Sequence, residues 1–372
     1  MTEAEQRAAA WLKAWDSQGT HRTGTAGDRA GADWLAAEAA ALGAEVSVEE
    51  FAFDRLDPEL VHLDIGASRI PGVPVFDAPA TGLDGIEGRL GEDIAVAELS
   101  PRAVYSGMFR RLREEGGHRA LVVLCGGEEP GLALLNAEQF GAPYGMPAIH
   151  LSSEAREQVL AAAGDRAPAR LVAYSRRDAG RAANIVATVK GSGPDRNKLV
   201  VMTPRSSWWQ STAERGGGLV CWLESLRALI ARPPARDVIF TANSGHELGH
   251  LGLDDFVARR PGWDREGGAD WVHYGANLGA AGGVLSLVSN ADDLRGLGLA
   301  ELTRAGQPPD DIPVKTLIPS GETRDIHQAG GRYLTLVGSN RWFHLPQDRW
   351  PHSIDLAAVT RIAAAAARLG AR

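Results

Sequence analysis

Hydrophobic and polar residues follow two periodicities along this chain, one typical of helices and the other of strands. Near the N-terminus, segments 3–15 and 28–42 place apolar residues at helical spacing, and the second ends at Gly43, a common helix stop. The stretch AEVSVEEFAF then alternates, as expected for a half-buried strand. From residue 182 onward, apolar runs such as KLVVMTP and DVIFTA alternate with longer segments such as GGGLVCWLESLRALIA. This order predicts an α/β fold with a mostly parallel central sheet flanked by helices.

The middle of the chain differs in composition and in the length of its apolar runs. Between residues 57 and 181, Pro and Gly are frequent and the apolar runs are short, as in LVHLDI, RALVVLCGG and MPAIHLSS. One helix, within SSEAREQVLAAAG, follows them, and Ser152 or Ser153 is its expected cap. We therefore predict an α/β domain formed by 1–56 and 182–372, with a smaller β-rich domain, 57–181, inserted into it.

Composition and charge narrow the functional classes. The 372 residues are 44% hydrophobic and 23% charged, which is ordinary for a globular protein. The formal net charge is -8 and the chain has no Lys/Arg-rich run, so nucleic acid is not an expected partner. No run of about 18 apolar residues could span a membrane, and the N-terminal stretch is not a secretory signal. We expect a cytoplasmic protein without a membrane partner, and a homo-oligomer is an open alternative.

The most conspicuous chemical motif is a His-Glu-x-x-His sequence that begins at His246. On a continuous helix, its two histidines hold zinc and its glutamate activates water. Here a strand (DVIFTA) and a turn (NSG) directly precede the motif, and Gly249 weakens a helix, so a long zinc-binding helix is not expected. The context instead predicts that Glu247 reaches a metal and that His246 transfers protons, both at the carboxyl edge of the sheet. A rearranged site in which His246 or His250 binds the metal is an alternative.

Several segments, in this order along the chain, resemble the di-zinc aminopeptidases, a family that also contains glutaminyl cyclases. The resemblance covers most of the chain. It rests on the N-terminal helix and strand, on ANIVATVKGSGPDRNKLVVMTP, on DVIFTANSGHELGHLGLDDF and on FHLPQDRW. The segment GMPAIHLSSEAREQVLAAAG is similar to the protease-associated domain that some members carry. The resemblance implies a zinc exopeptidase fold with an inserted protease-associated-like domain.

The metal-binding positions of this family are matched only in part. Where the family has its first His ligand, this chain has Arg205, and where the family has a later Asp ligand, it has Ala276 or Asn277. The family's general base, a Glu, corresponds to His246. The resemblance therefore implies that one of the two zinc sites is lost. We expect Arg205 to supply, as a fixed cation, part of the missing positive charge.

Three other positions keep side chains that bind metals. By the resemblance, Glu214 stands for the bridging Asp of the family, Glu247 for its second Glu and His344 for its last His. Three protein ligands leave a coordination position for water or substrate, as catalytic zinc sites do. We therefore predict a single zinc ion held by Glu214, Glu247 and His344.

These features are interpreted as a metal-dependent hydrolase of an amide or related C–N bond in a small molecule or short peptide-like substrate. His246 would take a proton from water and pass it to the leaving amine, and Arg205 would stabilise negative charge on the substrate. The candidate pocket residues are Trp208, Trp209 and His327. Two alternatives stay open: a catalytically inactive, peptidase-like binding protein, and a mono-zinc cyclotransferase of the glutaminyl cyclase type.

Overall fold

The computed structural model describes residues 1–193 and 197–370 of the chain. The strands in this part of the chain are β1 Glu45–Ile65, β2 Ser68–Pro74, β3 Ile86–Arg89, β4 Ile94–Leu99, β5 Ala120–Cys125, β6 Ala148–Ser152, β7 Pro168–Val189, β8 Leu199–Pro204, β9 Val238–Asn243, β10 Asp270–Tyr274, β11 Leu285–Ser289 and β12 Arg332–Gly338. The buried strands β5, β8 and β9 are continuous apolar runs, as expected for strands covered on both faces.

The helices alternate with these strands along much of the chain. They are α1 Glu3–Asp16, α2 Ala26–Ala41, α3 Met108–Glu115, α4 Arg156–Gly164, α5 Gly217–Ala231, α6 Leu251–Ala258, α7 Asp292–Arg304, α8 Thr323–Gln328 and α9 Leu356–Leu369. The first helix begins at Thr2, whose hydroxyl accepts from the Glu5 amide while the Glu5 carboxylate accepts from the Thr2 amide. No helix of the described residues is long and apolar enough to cross a membrane.

The strands form one twelve-stranded sheet in the order β11-β12-β10-β8-β9-β7-β1-β2-β6-β5-β4, and β3 pairs with β7 beside this path. The neighbours β12, β10, β8 and β9 run parallel, as do β6, β5 and β4. This arrangement confirms the predicted α/β class with a mostly parallel central sheet.

Two long antiparallel strands link the two ends of the sheet. β1 and β7 pair continuously from Glu45 opposite Thr188 to Ile65 opposite Ala169, apart from one bulge after Pro58. The predicted domain boundaries, at 56/57 and 181/182, therefore fall inside paired strands. The inserted domain of 57–181 remains a prediction, and the chain crosses into this region without a linker.

Helices cover both faces of the sheet next to β8 and β9. On one face, α1, α2, α5, α7 and α9 enclose a core that includes Trp15, Trp222 and Phe240. On the other face, α6, which contributes Phe256, and α8 pack over Trp271. Helices close both faces of this part of the sheet. Side chains of these strands can therefore reach solvent only at the strand ends, where polar residues are concentrated.

Candidate functional site

The candidate site lies at the carboxyl ends of the parallel strands. β9 ends at Asn243, and the chain then turns through Gly245, whose φ of 84° is in the left-handed region that favours glycine. A single helical turn covers His246–Leu248, Gly249 is again left-handed, and α6 starts only at Leu251. The His-Glu-x-x-His motif is therefore not on one helix, in agreement with the sequence-based expectation.

Buried metal-binding side chains meet at this turn. One nitrogen each of His246 and His250 and one oxygen of Glu322 lie within 4.8 Å of one another, and this is the one such trio found among the described residues. His246 Nδ1 is 2.8 Å from Glu322 Oε1. His250 Nδ1 is 2.5 Å from Asp325 Oδ2, so its proton is directed to that carboxylate. Two imidazoles and a carboxylate match the donor set of zinc.

Burial and neighbouring charges shift the pKa of each member of this trio. Burial, assisted by the charge of Arg215, lowers the pKa of His246 to about 4, so this imidazole is neutral at pH 7. Burial also opposes ionisation of Glu322, but the pKa of this carboxyl is held well below its usual value by His246. For His250, the hydrogen bond to Asp325 and the charge of Glu322 outweigh burial and raise the pKa.

A cleft of about 400 Å³ opens beside the trio. His246, Glu322 and His273 line one side of it. His273 Nε2 is 3.6 Å from Glu322 Oε2, and both atoms are buried without a hydrogen-bond partner among the described residues. On the other nitrogen, Nδ1, His273 is bonded to the hydroxyl of Thr323 at 2.6 Å. Unpaired buried polar atoms at a cleft indicate a position for a ligand, an ion or water.

Unusual backbone conformations concentrate around the same edge. Five non-glycine residues of the described chain have positive φ, and four of them lie near the site: Ser211, His250, Asn277 and His344. Such conformations cost energy in non-glycine residues and persist where the surrounding structure imposes them. They place His250 and His344 at sharp turns instead of within helices.

Two of the three predicted zinc ligands do meet. Glu214 Oε1 is 3.5 Å from His344 Nε2, and both side chains are about 1% exposed. His344 Nδ1 is 2.5 Å from the carbonyl oxygen of Leu134, so Nδ1 carries a proton. However, Arg215 Nη2 lies 2.8 Å from the same Glu214 oxygen. The guanidinium already compensates this carboxylate, and despite burial it holds the pKa of Glu214 down, at about 2.

The third predicted ligand, Glu247, is directed elsewhere. Its Oε1 accepts from the Thr23 amide at 2.7 Å, and its Oε2 accepts from the Ser206 hydroxyl at 2.6 Å. Ser206 Oγ itself accepts from the amides of Gly245 and His246, so its proton can only go to Glu247. Both carboxylate oxygens thus hold the turn in place, and Glu247 is not part of the described trio. The set of Glu214, Glu247 and His344 stays a prediction, of which Glu214 and His344 lie together here.

Arg205 is held by protein groups on two elements. Its Nη1 is 2.9 Å from Asp28 Oδ1 and its Nη2 donates to the carbonyl of Ala183 at 2.8 Å, with the side chain fully buried. This guanidinium joins α2 to β7, and its contribution to charge on a substrate stays a prediction. Arg215, ten residues later, is the fixed cation beside the site, because its charge acts on both Glu214 and His246.

The predicted pocket residues have packing roles. Trp208 is buried, donates from Nε1 to Asn136 at 2.9 Å and lies against Phe76 at 4.5 Å between ring centroids. Trp209 donates from Nε1 to the carbonyl of His344 at 2.8 Å. His327 bonds to the Tyr333 hydroxyl at 3.1 Å. None of these three predicted residues is among the described residues that line this cleft, and their assignment to a substrate pocket stays a prediction.

The sequence reasoning missed Arg215, His273, Glu322 and Asp325. A weak signal existed for the last two, because GETRDIH, which also contains the predicted His327, is a polar segment between Gly residues. His273 lies at the end of the apolar strand DWVHY, where a buried histidine is unremarkable.

Comparisons with known proteins agree with this architecture. No protein-family model matches the chain, and no curated protein matches it in sequence. Among solved structures, the chain has the fold of zinc aminopeptidases. BSAP, a zinc aminopeptidase from Bacillus subtilis, is 16% identical, with a TM-score of 0.75 over 97% of this chain and 94% of that one.

Two further structures give the same result. The aminopeptidase from Aneurinibacillus sp. strain AM-1 is 16% identical, with a TM-score of 0.71 over 100% of this chain and 94% of that chain. The peptidase M28 precursor from Shewanella amazonensis SB2B is also 16% identical, with a TM-score of 0.74 over 99% of this chain and 94% of that chain. At this identity the likeness shows the fold, and the activity has to be argued from the site.

Proposed function

We propose that this protein is a zinc-dependent hydrolase that cleaves an amide or related C–N bond in a small molecule. The observation that carries the proposal is the buried trio of His246, His250 and Glu322 beside a cleft at the carboxyl edge of the sheet. Support also comes from the fold, since the solved structures with this architecture include zinc aminopeptidases. The trio takes the place of the sequence-based set and matches the rearranged alternative that involves His246 and His250.

The residues present fit a zinc ion. Three protein donors leave room for water or substrate, and the Asp325 carboxylate on His250 Nδ1 orients that ring as carboxylates commonly do behind zinc-bound imidazoles. When bound, zinc lowers the pKa of a coordinated water and polarises a carbonyl oxygen.

The remaining polar residue of the cleft, His273, is suited to proton transfer. Its Nε2 lies free next to Glu322, and Thr323 fixes the ring through Nδ1. In this scheme His273 accepts a proton as water adds to the substrate carbonyl, and it returns that proton to the departing amine as the C–N bond breaks. His246, the proton carrier in the sequence-based scheme, instead holds its position through Glu322. The volume of the cleft, about 400 Å³, suits a small substrate.

Metal analysis of the intact protein tests this assignment. We expect about one zinc per chain after chelator-free purification, and loss of that zinc in His250→Ala and Glu322→Gln. The matched control is His344→Gln, which removes a buried imidazole 3.5 Å from Glu214 but not a member of the trio. This control should keep its zinc.

Two results would contradict the proposal. If His344→Gln loses zinc while His250→Ala retains it, the ion is held by the set inferred from sequence. If the wild-type protein binds no zinc under these conditions and hydrolyses no amide, a non-catalytic binding protein is the better description. Loss of hydrolysis with zinc retained in His273→Gln would support the proton-transfer role.

A further inference from the structure

One positive charge at the cleft is not used by the proposed reaction. Arg102 follows β4, in the segment that leads to the turn Ala103–Ser106, and it lines the same cleft as His246 and Glu322. Its guanidinium carbon lies 5.9 Å from the centre of the Phe343 ring. Arg102 takes part in none of the ion pairs between described residues, whereas most of the other arginines contact a carboxylate.

The rest of the cleft offers little to neutralise this cation. Pro204, Ala276, Val337 and Phe343 contribute apolar surface. The carboxylate in the lining, Glu322, is bonded to His246 and belongs to the proposed metal site. The lining of one small cleft therefore combines a guanidinium, apolar surface and members of the proposed zinc centre, and both the guanidinium and a zinc ion favour negatively charged or electron-rich groups.

We propose that the cleft selects small amides that carry a carboxylate, and that Arg102 binds this carboxylate. The inference rests on the proposed function, because it takes the trio as the place of the scissile bond. Arginine presents two parallel N–H groups to a carboxylate, and the face of Phe343 limits where the guanidinium can lie. An N-acylated amino acid combines an amide with a nearby carboxylate in a size that the cleft accommodates.

A pair of probes that differ only in charge tests the proposal. We would measure the binding of N-acetylleucine and N-acetylleucinamide to the intact, zinc-loaded protein by calorimetry. The wild type should prefer the carboxylate about tenfold, which corresponds to about 1.4 kcal/mol. Arg102→Gln should remove this preference with little change in the affinity for the amide. The preference should also shrink at high salt, because Arg102 is exposed.

Arg341 provides a matched control. It too is an exposed arginine over an aromatic ring, 5.2 Å from the centre of Trp342, but it pairs with Glu129 and does not line the cleft. Arg341→Gln should therefore keep the preference for the carboxylate. The proposal is overturned if Arg102→Gln retains the tenfold preference, since the carboxylate would then be bound by another group, or if the wild type shows none.

Release of acetate from the same two probes, followed in parallel, separates this inference from the proposed function. Preferential binding that depends on Arg102, without hydrolysis of either probe, supports the anion site and counts against the hydrolase. Hydrolysis of both probes with equal kcat/KM, unchanged by Arg102→Gln, supports the hydrolase and refutes the anion site.

Discussion

Substitutions at Glu247 distinguish two possible sets of zinc ligands. Glu247 belongs to the set predicted from sequence, with Glu214 and His344, but not to the trio of His246, His250 and Glu322. Glu247 is fully buried and accepts from Thr23 and Ser206, so we assign its oxygens to the Gly245 turn and not to a metal. Burial raises the pKa of this carboxyl even though both hydrogen bonds act in the opposite direction. The two acceptor positions therefore stabilise the turn, whereas the charge itself does not.

This reasoning predicts different results for two variants. Glu247→Gln keeps the size and one acceptor and removes a buried charge, but its NH2 group leaves one of the two donors without an acceptor, so we expect a loss of about 1–2 kcal/mol in the free energy of unfolding. Glu247→Ala leaves the Thr23 amide and the Ser206 hydroxyl without acceptors inside the protein. At 1–3 kcal/mol for each unsatisfied group, the expected loss is about 3 kcal/mol.

Both variants should bind zinc as the wild type does. The assay is zinc content by mass spectrometry of the folded fraction after gel filtration, together with urea unfolding of the same samples. The reasoning is refuted if Glu247→Gln folds with wild-type stability but has lost its zinc, because the side chain would then be a ligand. His250→Ala, which should lose zinc, shows that the assay detects the loss.

Three further changes test the surroundings of the site. Arg215→Met leaves Glu214 buried without its cation and should cost about 3–5 kcal/mol in urea unfolding, so a loss under 1 kcal/mol would contradict the pairing. Because burial lowers the pKa of His21 from 6.5 to about 3, the unfolded chain takes up a proton first, and stability falls as the pH drops below 6.5. Between pH 6.5 and 5, the unfolding free energy of His21→Gln should therefore fall by about 2 kcal/mol less than that of the wild type, as measured by urea unfolding at both pH values. Gly252→Ala places a Cβ 2.1 Å from the Ser244 carbonyl and should cost about 3 kcal/mol, whereas unchanged thermal unfolding would show that the turn can shift.

Much of the fold follows from local pattern. The helices expected at 3–15 and 28–42 are found as Glu3–Asp16 and Ala26–Ala41, and DVIFTA is strand β9, Val238–Asn243. These elements are strongly periodic or strongly apolar, so burial alone selects them. The strand predicted from AEVSVEEFAF was too short, because β1 continues to Ile65. Its second half is paired with β7, more than a hundred residues away, and no local signal reports such a partner.

The residues of the candidate site were harder to predict, because membership of the site depends on the direction in which each side chain points. Arg205 and Arg215 are equally plausible cations in sequence, yet the first points to Asp28 and the second to Glu214. The direction of Arg205 depends on where α2 lies, since Asp28 belongs to that helix, whereas Arg215 pairs with its neighbour in sequence. Glu322 reaches the site from more than seventy residues beyond His246, at the start of a short helix with no metal-binding motif. Spacing along the chain could identify His246 and His250 but could not supply their partner.

The distribution of charge around the site supports the proposal of one divalent ion instead of two. The Glu214 carboxylate is compensated by Arg215, and Glu247 is surrounded by neutral hydrogen-bond donors. Glu322 and Asp325 are the acidic groups bonded to the two histidines, and Arg324 lies 3.9 Å from Asp325. In the proposed site, a single zinc ion would offset the negative charge of Glu322, while His246 is neutral at pH 7. A second divalent ion next to Glu214 would have to displace the Arg215 guanidinium from a fully buried position, and that displacement would leave a buried cation without its partner.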